Sequence, residues 1–266
     1  MLTVWNEFRS IWRARALVNV LTRREISGRH AGTAAGIFWL YIQPLFSVAA
    51  FYLVFDVVFA MRQGSGAHST GVGTFLVVGA LPWMAFCDAL MRGMNSLLDA
   101  GGLLQKNPMP PVFFVVKSVL ASSVIFGPLL MLMGLAYAPL HGFAVALWAL
   151  LPLLLLQVLL SFLLAYTLAI LAAALRDTVQ FVGFLVSVGI YLTPVLFPVT
   201  LFPENWRWLL WLNPMTAFVL AYQQILLQGA WPEPGVWVAV GSWTLLVGAG
   251  LNVLVKRSRD QLVDWL

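Results

Sequence analysis

Between Ser118 and Leu175 the chain reads SVLASSVIFGPLLMLMGLAYAPLHGFAVALWALLPLLLLQVLLSFLLAYTLAILAAAL, with no aspartate, glutamate, lysine or arginine anywhere in it. About 20 apolar residues carry a helix through the hydrocarbon core of a bilayer, so this stretch alone holds two crossings. The rest of the chain agrees. Of 266 residues, 61% are hydrophobic and 9% charged, whereas a soluble domain carries about 25% charged residues. That supply cannot clothe a water-exposed surface. The sequence therefore specifies an all-α integral membrane protein with a single transmembrane domain spanning residues 1–266.

Hydropathy and length place six crossings at residues 34–60, 73–96, 112–138, 143–174, 178–199 and 236–255. Residues 1–33 precede them. Trp5, Phe8, Trp12, Ala16 and Val20 recur there at helical spacing while Arg9, Arg13 and Arg15 fall elsewhere on the wheel, the pattern of an amphipathic helix lying on the membrane surface. With six arginines in this stretch and no clean apolar core between them, it does not read as a cleavable leader. Placing it in the cytoplasm puts thirteen basic residues inside and leaves only Arg62 and Arg207 outside. The excess of basic residues on one side orients the chain with both termini cytoplasmic. The formal charge of +5 is thus accounted for by the membrane surface, with no nucleic-acid partner required.

From Thr193 to Pro214 the pattern breaks. Pro194, Pro198, Pro203 and Pro214 remove backbone donors and disfavour a continuous helix. Glu204 and Asn205 follow Pro203 as helix-start residues, and the run through Trp206, Trp208 and Trp211 is too short to cross. A re-entrant or short external hairpin at 200–214 fits, serving either as the lining or cap of a conduit or as an aromatic anchor at the interface.

Motifs for covalent chemistry are missing. None of the three lysines, Lys106, Lys117 and Lys256, follows a glycine, so there is no phosphate-binding P-loop and the chain is not its own ATPase. His30, His68 and His141 stand far apart and Cys87 is the single cysteine, which supports neither a metal site nor an intrachain disulfide. Asp88 and Arg92 lie four apart on the second crossing in the favourable orientation for a helical ion pair, and Asp56 lies near the outer end of the first, where it can snorkel. An ion-coupled secondary transporter would show internal repeats and unpaired mid-membrane charge, and a membrane glycan enzyme would need clustered acids or a metal; the sequence offers neither.

Five segments, taken in order, carry a resemblance. They are Thr22-Arg23-Arg24-Glu25-Ile26-Ser27-Gly28-Arg29-His30 with Gly36, Trp39 and Gln43-Pro44; Leu103-Leu104-Gln105-Lys106 with Met109-Pro110; Arg176-Asp177; Tyr191-Leu192-Thr193-Pro194-Val195; and Leu212-Asn213-Pro214-Met215. Over nearly its whole length the chain resembles the membrane subunit of ABC-2 type exporters for O-antigen, capsule and teichoic-acid polysaccharides, and looks most like the O-antigen permease. His30 stands in place of the family's usual tyrosine, and Met109 where phenylalanine is common.

The resemblance implies a half-transporter of the bacterial inner membrane. Two copies would form the channel, and two separate ABC ATPase subunits would bind ATP and Mg, so that this chain carries no cofactor. The cargo implied is a polysaccharide on an undecaprenyl diphosphate lipid. Residues 97–111 would be the coupling loop, with Leu103, Lys106, Met109 and Pro110 meeting the ATPase and Arg176 and Asp177 assisting. Pro194, Pro203, Trp206, Asn213 and Pro214 would belong to an external gate. Arg24, Arg29 and His30 are candidates for the lipid diphosphate, since forked guanidinium donors suit phosphate oxygens. Trp39, Trp83, Phe86, Tyr191 and Phe197 are candidates for an aromatic lining that grips sugar faces weakly at many points.

Overall fold

The computed structural model describes residues 2–29, 32–58, 72–106, 109–141, 145–258 and 261–265. Every regular element among them is helical. Two helices open the chain, α1 (Leu2–Arg13) and α2 (Arg15–Gly28). A 3-10 turn at Gly36–Phe38 leads into α3 (Trp39–Tyr52), which continues as a π-helical run over Leu53–Val58. Then come α4 (Val72–Asp99), α5 (Val112–Tyr137), α6 (Leu150–Ala174), α7 (Asp177–Gly189), α8 (Met215–Leu227) and α9 (Pro234–Ser258).

Four helices are long and apolar enough to cross a bilayer, over Val72–Asp99, Val112–Leu140, Val145–Ala174 and Pro234–Ser258. They correspond to the expected second, third, fourth and sixth crossings. The expected first and fifth are shorter, as the apolar helices Trp39–Phe55 and Asp177–Leu192. At 13 residues, α7 is about 20 Å long against a hydrocarbon core of about 30 Å. The cause is local: Pro194 excludes the residue before it from helical geometry, and Thr193 is extended at φ −128°, ψ 143°. In α3, Pro44 lies inside the helix and cannot donate to the turn before it. Residues 59–60 of the expected first crossing lie outside the described residues.

The long helix α4 is the hub, packing against α3, α5, α6, α7 and α8. Gly93 lets α6 approach it, because a Cβ there would fall 2.6 Å from the Cβ of Ala165. Gly79 does the same for the proline-rich segment, where a Cβ would meet the backbone of Val195 at 3.0 Å. The two N-terminal helices sit against this bundle, α2 on α5 and α1 on α9. Phe8, Ile11, Val18 and Ile26 face the protein, while Trp5 (66% exposed), Trp12 (72%) and Val20 lie on an open side.

One end of the bundle gathers what the sequence separates. A cavity of about 290 Å³ is lined by Asn6 and Ser10 of α1, Pro110 of the loop after α4, Ile170 of α6, and Ser258 and Leu262 near the C-terminus. The N-terminal helix, the segment expected as a loop at 97–111, whose first residues instead end α4 and which holds a short helix at Gly101–Leu104, and the residues around Leu262 therefore share one end. Helices α4, α6 and α9 all run toward it.

Candidate functional site

Three groups of residues stand out, two polar and one apolar. The first lies at the shared end. Arg29, just past α2, buries its side chain to 4% exposure and donates from Nη1 to Asp88 Oδ2 at 3.2 Å. Its Nη2 reaches Ser122 Oγ at 3.1 Å and the Ser118 carbonyl at 3.3 Å. Asp88 also accepts from Ser122 Oγ at 2.5 Å and from Arg92 Nε at 2.7 Å. The expected Asp88 with Arg92 pair is present, but it is half of a larger cluster that ties α2 to α4 and α5. Burial pushes the Arg29 pKa down, and the Asp88 carboxylate opposes that loss. One turn back on α2, Glu25 accepts from Lys117 Nζ of α5 at 2.8 Å.

The second group joins helices across the bundle and satisfies the irregular backbone of the hairpin. Gln157 of α6 donates to the carbonyl of Pro82 at 2.9 Å and accepts from the hydroxyl of Tyr222 at 2.8 Å, joining α6, α4 and α8. Gln223 donates to the carbonyl of Pro194 at 2.6 Å. Asn213 donates to Thr193 Oγ1 at 2.6 Å and to the carbonyl of Gly189 at 3.3 Å, and accepts from the Met215 amide at 3.0 Å. The Thr216 hydroxyl caps the carbonyl of Leu210. Without such partners, irregular backbone at membrane depth would cost several kcal/mol per group. These bonds fix a hairpin that leaves α7 at Gly189, passes through a 3-10 stretch at Glu204–Leu212 and returns to the same level at Asn213.

The third group is an apolar cavity of about 360 Å³ walled by Trp83, Phe86, Leu168, Val182, Asn213 and Pro214. Trp83 and Phe86 are buried side by side with ring centroids 5.9 Å apart. The ring of Trp83 closes on Gly189, where a Cβ would fall 2.8 Å from it.

The five aromatic candidates therefore separate. Trp83 and Phe86 line this half-open cavity, whereas Trp39 and Tyr191 stand exposed at the start of α3 and just past the end of α7. Phe197 is half-buried and stacks on Phe202 at 5.6 Å. Arg24 is exposed, Arg29 is engaged as above, and His30 lies outside the described residues. Leu103, Lys106 and Pro110 are exposed, and Met109 is half-buried against the core. Arg176 and Asp177 are exposed at the turn from α6 into α7. In the hairpin Pro194 is buried, Pro203 and Trp206 are exposed, and Asn213 and Pro214 are half-buried.

Sequence reasoning missed Glu25, Lys117, Gln157, Tyr222 and Gln223. One signal was present: Gln157 is the only amide side chain between Ser118 and Leu175, and a lone amide in an apolar helix marks an interhelical hydrogen bond. Among the described residues no group of three His, Cys, Asp or Glu could hold a metal ion.

Comparison with known proteins accords with this geometry. The family model described as ABC-2 type transporter matches residues 16–227. The chain is 31% identical over 261 residues to an O-antigen export system permease protein RfbA of Myxococcus xanthus, covering 96% of this chain and 97% of the relative. Two proteins of the same name from Klebsiella pneumoniae are 20% and 21% identical over 243 residues, each comparison covering 90% of this chain and 91% of the relative. The chain belongs to the ABC-2 type transporter family, as the membrane-embedded subunit of a transporter that works with an ABC ATPase.

Proposed function

We propose that two copies of this chain form a channel through the bacterial inner membrane, through which polysaccharide carried on undecaprenyl diphosphate, O-antigen by preference, is exported. Two ABC ATPase subunits supply the energy from the cytoplasmic side, where both termini and the loop at 97–111 lie. That α4, α6 and α9 all run toward that end supports six crossings, with α3 carrying the chain outward before α4. The segment from α7 through the hairpin to α8 carries it outward again before α9.

The observation that carries this reading is the contrast between exposed helix faces. On α5, α6 and α9 the open positions are chiefly aliphatic, among them Val124, Leu132, Leu155, Leu245 and Val253, as lipid requires. On α3 and α7 they include Gln43, Gln180 and Ser187 beside Trp39, Phe46, Phe181 and Phe184. Amides pointed into hydrocarbon are costly, so this mixed polar and aromatic surface suits a second copy and a wet, sugar-permeable passage between the two. Of the candidates for the lipid diphosphate, Arg24 on α2 is exposed, whereas Arg29 is committed to Asp88.

The test is translocation of lipid-linked glycan in proteoliposomes holding the dimer with its ATPase subunits. Movement that requires ATP hydrolysis is expected. Movement without ATP, or a chain that stays monomeric in the active complex, overturns the reading.

A further inference from the structure

We infer that Glu25 and Arg29 are positioning residues that weld α2 to the two stems of the loop at 97–111, so that ATPase force received at the loop is delivered through α2 to α3. The inference rests on the proposed reading that α3 faces the passage and the ATPase acts at that loop.

The geometry is that of a bracket. Positions 25 and 29 are one helical turn apart and share a face. Glu25 reaches Lys117, near the start of α5, and Arg29 reaches Asp88 on α4 together with Ser118 and Ser122 on α5. The helices α4 and α5 are the ones the loop joins, so α2 is pinned to both of its stems at once.

Arg29 is surplus to charge balance, because Asp88 is already paired with Arg92 on its own helix. What Arg29 adds is a link between elements. Below it, α2 and the loop do not close on each other: a cavity of about 550 Å³ lies there, lined by Glu25, Lys117, Asp99 and Leu103. At that level Glu25 and Lys117 join α2 to α5 along the wall of the cavity. The chain runs from Arg29 to the start of α3 in ten residues, so a displacement of α2 is passed to the first passage-facing helix.

The full chain is reconstituted with its ATPase subunits, and glycan translocation and ATP hydrolysis are measured in the same vesicles. Glu25→Lys and Lys117→Glu, singly, are expected to keep ATP hydrolysis while translocation per ATP falls about five-fold, the effect of losing one partly exposed ion pair. The double exchange is expected to recover the ratio to within about two-fold, as for a direct pair. If a reversal does not assemble, Glu25→Gln and Lys117→Met replace it with the same expectation. Single variants with an unchanged ratio, or a double exchange that restores nothing, overturn the inference. A second readout is independent of cargo: with spin labels at Ser27→Cys and Leu103→Cys in a Cys87→Ser background, the distance is expected to stay constant between nucleotide-free and ATP-trapped complexes. A distance that changes sinks the weld even where translocation is normal. Loss of ATP-driven translocation in the unmodified complex, with a constant distance, instead counts against the proposed function.

Discussion

Arg29 and Asp88 are unequal partners, and the inequality is testable. Removing the arginine leaves Asp88 with Arg92 and Ser122, whereas removing the carboxylate strands a guanidinium 4% exposed to its surroundings. Breaking a buried pair so that one charge lacks a counter-charge costs about 3–5 kcal/mol, far more than losing the redundant member. Asp88→Asn is therefore expected to lower the melting temperature of the detergent-solubilised protein much more than Arg29→Gln. Equal shifts would mean that Arg92 does not compensate. At the same scale, the Asp88 with Arg92 pair was legible from spacing alone because both residues lie on one helix. The Arg29 contact was not, because it joins positions 59 residues apart.

The proline-rich hairpin shows how an element's sequence announces a break without saying how the break is held. Four prolines between Pro194 and Pro214 end α7 short of a full crossing. The bonds from Asn213 to Thr193 and Gly189 then bring the chain back to the level at which it left. Val195 is fully buried against Gly79 as a result. In a Cys87→Ser background, Val195→Cys should react slowly with a maleimide. Adding Asn213→Ala removes interhelical hydrogen bonds worth about 1–2 kcal/mol and is expected to raise that rate about ten-fold. An unchanged rate would assign the hold on the hairpin to Gln223 and the Pro194 carbonyl instead. Trp83 and Phe86 carry the same lesson: aromatic type suggested a lining, but only the packing of α4 against α6 and α7 shows which space they border.

For the whole molecule, the shared end of α1, the loop at 97–111 and the C-terminus fixes an expectation about sides. Cysteines at Arg24 and Lys106 should both be labelled from the cytoplasm, and one at Trp206 only from the opposite face. Reaction of Arg24→Cys and Lys106→Cys from opposite faces would remove the common surface that the proposed function requires. Membrane class and the four strongest crossings were determined by the sequence itself, because charge-free length and proline placement act locally and need no partner to be felt. The uneven distribution of arginine and lysine likewise set the expected orientation, since charge bias between loops is a sum over positions and needs no knowledge of contacts. What only the tertiary structure decided was which polar groups meet: Glu25 with Lys117 across 92 residues, and Gln157 with Tyr222 across 65. Periodicity reports which face of a helix is turned inward, but a hydrogen bond between helices depends on what lies opposite that face, and that is set by the packing of the whole bundle.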